Sequence, residues 1–84
     1  MSNLNANILN VCKYLQRKDP NGDYLELYQE YIYNEVTQGE VTELCYRVLM
    51  EWKEDMETVE SLTKADLRDI SVIQSYINLL NYNK

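Results

Sequence analysis

Oxygen ligands fall at cation-loop spacing in one place, the run Asp19-Pro20-Asn21-Gly22-Asp23 with Glu30 beyond it. On the EF-hand frame, Asp19, Asn21, Asp23 and Glu30 take the first, third, fifth and last ligand positions. The sixth position needs glycine for its turn and holds Tyr24, and the eighth wants an apolar side chain and holds Glu26. The run therefore reads as an interhelical turn with an acidic cap, and no metal is expected. Cys12 and Cys45 stand too far apart for any zinc spacing. Each lies on an apolar stripe, where a free cysteine behaves as a small core hydrophobe.

The chain has no histidine, so neither a Ser/His nor a Cys/His nucleophile can be assembled. Carboxylates are plentiful, but general acid–base work needs one held in a pocket at a shifted pKa. Four short helices offer little room for such a pocket. No catalytic, cofactor-binding or metal-binding residue is expected, and the chain is read as non-enzymatic. Thr63, Asp66 and Ser71 before a short apolar stretch have a helix-turn-helix flavour. A recognition helix brings cations to phosphates, yet residues 71–83 hold none and the net charge is −6. Direct nucleic-acid binding is not expected.

What remains is a surface. From Asp23 to Glu60 there are eleven acidic residues against Arg47 and Lys53, and the flanks are mildly basic. Tyr24, Tyr28, Tyr31, Tyr33, Tyr46 and Trp52 share that stretch. Clustered acids bias partner choice towards basic surfaces and raise association rates. Tyrosine and tryptophan are favoured anchors when partly exposed.

The elements that carry this surface are helices. Leu4, Ile8, Val11, Cys12 and Leu15 recur at helical spacing and predict a first helix over about 4–17, stopped by Pro20 and Gly22. Asp23 with Glu26 is a capping-box variant opening a second helix. Its stripe is Leu25, Tyr28, Ile32 and Val36, and Gly39 ends or bends it near Gln38. Val41, Leu44, Cys45, Val48, Leu49, Trp52 and Met56 define a third helix running to about Val59, with Tyr46 and Met50 off its stripe. Thr63 and Asp66 make a reciprocal cap for the last helix, with Leu62 and Leu67 at staple positions. Ile70, Ile73, Ile77 and Leu80 form its stripe, which Val72, Tyr76 and Leu79 widen, and Ser71 with Gln74 could cap a fifth helix. The expected core is Ile8, Val11, Cys12, Leu15, Leu25, Tyr28, Ile32, Val36, Leu44, Cys45, Val48, Leu49, Trp52, Ile70, Ile73 and Ile77.

The fold expected is all-α, a compact bundle of four or five short helices, in one domain over residues 1–84. An apolar fraction of 45% argues against disorder. A chain this short buries only about 60–65% of its unfolded surface, so dimerisation would help it. Val72, Tyr76 and Leu79 are the candidate self-association face of a homodimer. No apolar run approaches the ~20 residues that span a bilayer, so no membrane insertion is expected. Asparagines at 3, 5, 7 and 10 break any signal-like segment, and free thiols without one suggest a reducing cytoplasm.

Residues 11–28 (VCKYLQRKDPNGDYLELY) and 40–53 (EVTELCYRVLMEWK) give the chain a resemblance to the RIII family of rapid-lysis proteins of T-even-type phages. The resemblance covers most of the length. It implies a cytoplasmic antiholin, which supports lysis inhibition by binding the cytosolic N-terminal part of the phage holin. It transfers no catalytic or metal residue. Segments on the cytoplasmic side of a membrane helix are rich in Lys and Arg. Under this reading Glu43, Glu51, Glu54 and Glu57 would steer such a segment, and Tyr46 and Met50 would touch it. Two alternatives stand beside it. One is a small acidic phage early protein that binds and inhibits or redirects a host enzyme, a polymerase or defence nuclease. The other is a subunit of a homo-oligomer with no enzymatic target.

Overall fold

Reciprocal side-chain caps legible in the sequence open two of the helices. The computed structural model describes residues 4–58 and 60–80, with the Leu4 side chain and Val59 outside that description. Four helices follow one another: α1 (Leu4–Lys18), α2 (Tyr24–Ile32), α3 (Gln38–Glu57) and α4 (Lys64–Leu80). The fold is an all-α bundle. α4 runs unbroken through Ser71, so there is no fifth helix among the described residues.

Thr63 and Asp66 cap α4 reciprocally, each backbone N–H donating to the other's side chain at 3.1 Å. Leu67 at the staple position is 54% exposed. An equivalent box opens α3, where Glu40 N–H donates to Thr37 Oγ1 at 3.1 Å and Thr37 N–H donates to Glu40 Oε1 at 2.8 Å. Gly39 therefore lies inside the first turn of α3 and does not end α2. α2 stops earlier, at Ile32, through Asn34 in the left-handed region at φ 66°. Glu35 N–H reaches Glu30 C=O at 2.8 Å and Asn34 N–H reaches Tyr31 C=O at 3.1 Å, a Schellman motif with asparagine at its left-handed position.

The start of α2 corrects the sequence reading. Asp23 makes no side-chain cap. Gln16 of α1 does the work instead. Its Oε1 accepts from Tyr24 N–H at 2.9 Å and Leu25 N–H at 3.3 Å, and its Nε2 donates to Pro20 C=O at 3.1 Å. Gly22 N–H donates to Asp19 C=O at 3.0 Å, closing the turn. A Cβ on Gly22 would run into the Tyr24 ring, so the turn needs glycine for close approach.

α1 and α3 each pack against all three of the other helices, while α2 leans mainly on α1 and α4 mainly on α3. Ile8, Val11, Cys12 and Leu15 are fully enclosed, as are Cys45, Leu49 and Ile73, and Ile77 is nearly so. Val41 and Leu80 join them, with Tyr14, which the core expectation missed. The Tyr14 ring stacks on Tyr76 at 4.6 Å and carries Arg17 and Lys18 over its face at 5.7 and 5.8 Å. Tyr28, Val36, Val48, Trp52 and Ile70 are half-buried.

Leu25, Ile32 and Leu44 were expected in the core but stand 42%, 45% and 45% exposed. α2 docks through Tyr24, Leu27, Tyr28 and Tyr31, a face rolled by roughly 80° from the expected stripe at 100° per residue. Two ties fix that roll: the Gln16 cap, and a hydrogen bond from Tyr31 hydroxyl to Asn5 Oδ1. Aromatic rings with polar tips thus replace aliphatic burial. Leu44 is left facing a seam that α2 does not close.

Leu49→Ala should lower stability by about 2–5 kcal/mol, as truncations of enclosed leucines do. Gln16→Ala should cost about 1 kcal/mol, the usual loss for a cap, despite removing no core contact. Thr42 Oγ1 is buried with no hydrogen-bond partner among the described residues. Thr42→Val keeps the shape and removes that unpaired group, so it should raise stability by about 1 kcal/mol. Urea titration of the three variants against the parent checks all three signs.

Candidate interaction surface

α3 brings most of the sequence-predicted partner residues onto one face. Glu43, Tyr46, Met50, Glu51 and Glu54 line a single open depression of about 450 Å³, together with Arg47. Their spacing explains it, since steps of three and four residues place them on adjacent turns of one helix. Tyr46 and Met50 are half-buried, with one side against the core and the other lining the depression. Glu57 lies beyond this group, 3.0 Å from Lys53. Glu43 is held by Arg47 at 2.8 Å, so its charge is partly offset. Glu51 and Glu54 are the exposed carboxylates of the depression that carry no such intrahelical bridge among those formed with Arg47 and Lys53.

A second depression of about 420 Å³ runs between α2 and α3. Leu27, Leu44 and Val48 form its apolar floor, and Asp23, Glu26 and Glu30 its acidic edge. Tyr24 also lines it, its ring edge-on to Trp52 at 6.5 Å and its hydroxyl 3.4 Å from Asp19 Oδ2. Burial first, then the Asp19 carboxylate, pushes the Tyr24 phenol up, with Glu51 adding to it. Sequence reasoning missed this groove because it placed Leu44 and Val48 in the core. The Thr37-to-Glu40 capping box was the available signal that α2 ends early.

A third cleft, about 260 Å³, lies where α1, α3 and α4 meet, with Tyr14, Trp52, Met56 and Ile73 among its walls. Lys18 and Asp69 approach within 3.8 Å there. The candidate self-association residues divide: Val72 and Tyr76 are half-buried against the chain's own core, and Leu79 is 39% exposed. Asn7 Nδ2 donates to Leu79 C=O at 3.2 Å and ties α1 to the end of α4.

Among the described residues no cluster of three or more acidic or thiol side chains could hold a metal ion. Asp19 and Asp23 belong to the turn and its edge. No described helix is long and apolar enough to cross a membrane. Cys12 and Cys45 meet in the core with Sγ atoms 3.9 Å apart. The hydrogen bond between them pushes the Cys12 thiol up, burial adding to it, and the same bond pulls Cys45 down against burial. Both cysteines are buried, at 0% and 1% exposure.

Enclosure governs their reactivity, because a thiolate must be reached to react. Neither thiol should be labelled by a disulfide reagent over hours in the native protein, and both should react within minutes in guanidinium chloride. Rapid native labelling, followed by mass spectrometry, would show that the core opens readily.

No family model, no curated protein and no solved structure matches this chain.

Proposed function

We propose that this chain is a non-enzymatic regulator acting by protein–protein contact, and that its partner is the cytosolic N-terminal part of a phage holin. In that role it is an antiholin of the host bacterial cytoplasm, delaying membrane permeabilisation and so supporting lysis inhibition. The observation that carries the reading is the gathering of Glu43, Tyr46, Met50, Glu51 and Glu54 on one face of α3. The resemblance of residues 11–28 and 40–53 to the RIII family supports the choice of partner.

The physics of capture follows from the surface. A segment beside a membrane on its cytoplasmic side is rich in Lys and Arg. The acidic stretch attracts it over about 8 Å at physiological salt, and further at low salt. Tyr46 and Met50 then supply contact area, the tyrosine with little rotamer entropy to lose. Carboxylates on an open helix face suit this task better than proton transfer, which needs an enclosed and positioned group.

Glu51→Lys with Glu54→Lys should leave the fold intact, weaken capture of the holin's cytosolic domain by about tenfold at low salt, and shorten the lysis delay. Tyr46→Ala should weaken capture with little change in its salt dependence. Binding titrations at low and high salt test both, and unchanged affinity in all variants would exclude this face. Affinity capture from infected cells separates the partner classes: a membrane protein supports the antiholin reading, and a host polymerase or nuclease overturns it.

A further inference from the structure

We infer that the cleft between α2 and α3 is a docking groove for an amphipathic helix whose flank carries Lys or Arg. Its floor and edge have different chemistry, and each specifies part of the occupant. The floor is Leu27 of α2 with Leu44 and Val48 of α3. Leu44 and Val48 stand one helical turn apart, which suits apolar side chains repeating at three or four residues on a third helix. Leu44 is 45% exposed, so an apolar surface is already open to water in the middle of the seam.

The edge is acidic along α2. Asp23, Glu26 and Glu30 line it at successive turns, and no Lys or Arg lines the groove. An anionic ligand is therefore disfavoured. A metal ion is also a poor occupant, because the described residues offer no set of carboxylates close enough to hold one. A row of cations spaced along a helix matches a row of carboxylates spaced along a helix. The seam is open because α2 has no fully buried residue and rests mainly on α1.

This inference deepens the preceding proposal and rests on it for which protein supplies the helix. The chemistry of the occupant rests on the groove alone. In the antiholin setting, the outer face of α3 would meet the segment's charge first, and the groove would bury its apolar stripe.

The test uses the full chain and a synthetic amphipathic peptide of about four turns, with leucines on one face and lysines on its flanks. Two control peptides replace its lysines by glutamate or its leucines by serine. Amide shifts in labelled protein locate binding, and fluorescence anisotropy measures it. The expected result is binding of the Lys/Leu peptide alone, with shifts at Leu27, Leu44 and Val48. Leu44→Ser should weaken it about tenfold or more, as burial of a leucine implies. Leu44 is 45% exposed, so this variant should keep the fold with a modest drop in melting temperature; Glu26→Lys with Glu30→Lys is the second, surface-only variant and should weaken binding with no such drop. Equal binding of the serine peptide, shifts confined to the outer face of α3 or to α4, or indifference to both variants would overturn the groove.

The same proteins are then titrated with the holin's cytosolic domain. Loss of capture in Leu44→Ser supports the groove as the place where that domain docks. Peptide binding in the groove without any capture of the holin domain by the parent leaves the groove standing and overturns the holin reading. Capture by the parent that ignores Leu44→Ser, with no peptide binding, overturns the groove and leaves the holin reading standing.

Discussion

The side chain of Gln16 decides how this molecule is arranged. One amide accepts the first two N–H groups of α2 and donates to the carbonyl of Pro20, so the end of α1, the turn and the start of α2 become one unit. Helix N-termini leave N–H groups without intrahelical partners, and a cap normally comes from the residue just before the helix. Here Asp23 stands in that place and leaves the task to a neighbouring helix. The consequence reaches beyond the cap. A short helix oriented by hydrogen bonds does not need a fully buried stripe, and α2 has none. That freedom leaves the seam with α3 open, with Leu44 in it.

Charge and burial are separated in space by the same arrangement. α1 supplies the centre of the core and, with Arg17 and Lys18, basic side chains at its last turn. Eleven of the fourteen acidic residues lie from Asp23 to Glu60, on α2, α3 and the segments that flank them. Local ion pairs between Glu43 and Arg47 and between Lys53 and Glu57 offset part of this field. Exposed pairs of this kind are worth ~0.3–0.5 kcal/mol, too little to explain why a small domain would carry so many acids. Self-repulsion from net charge lowers the stability of a compact state.

Much of the bundle was legible because the relevant signals are local. The Thr63 and Asp66 pair, the apolar spacing of α1 and α4, and the Pro20-Asn21-Gly22 stop each act within a few residues of themselves. What was not legible is long-range. Nothing in the sequence near Tyr24 says that Gln16 will cap it, or that Asn5 will accept from Tyr31 and Asn7 donate to Leu79. The Gln16 and Asn5 contacts set the roll of α2, so Leu25 and Ile32 could not be placed correctly by periodicity. Tyr14 hid for a related reason: its burial depends on Tyr76, far along the chain. Of the candidate surface, the α3 residues were legible because one helix places them, and the α2–α3 groove was not because two helices make it.

Hydrogen–deuterium exchange, with and without the holin's cytosolic domain, tests the account most directly. α2 has few enclosed contacts, so its amides should open and exchange readily in the free protein. Binding across α2 and α3 should slow exchange over Tyr24–Ile32 and the facing turns of Gln38–Glu57, and leave Lys64–Leu80 unchanged. Slowing confined to Lys64–Leu80, or absent throughout with the domain present in excess, would contradict it.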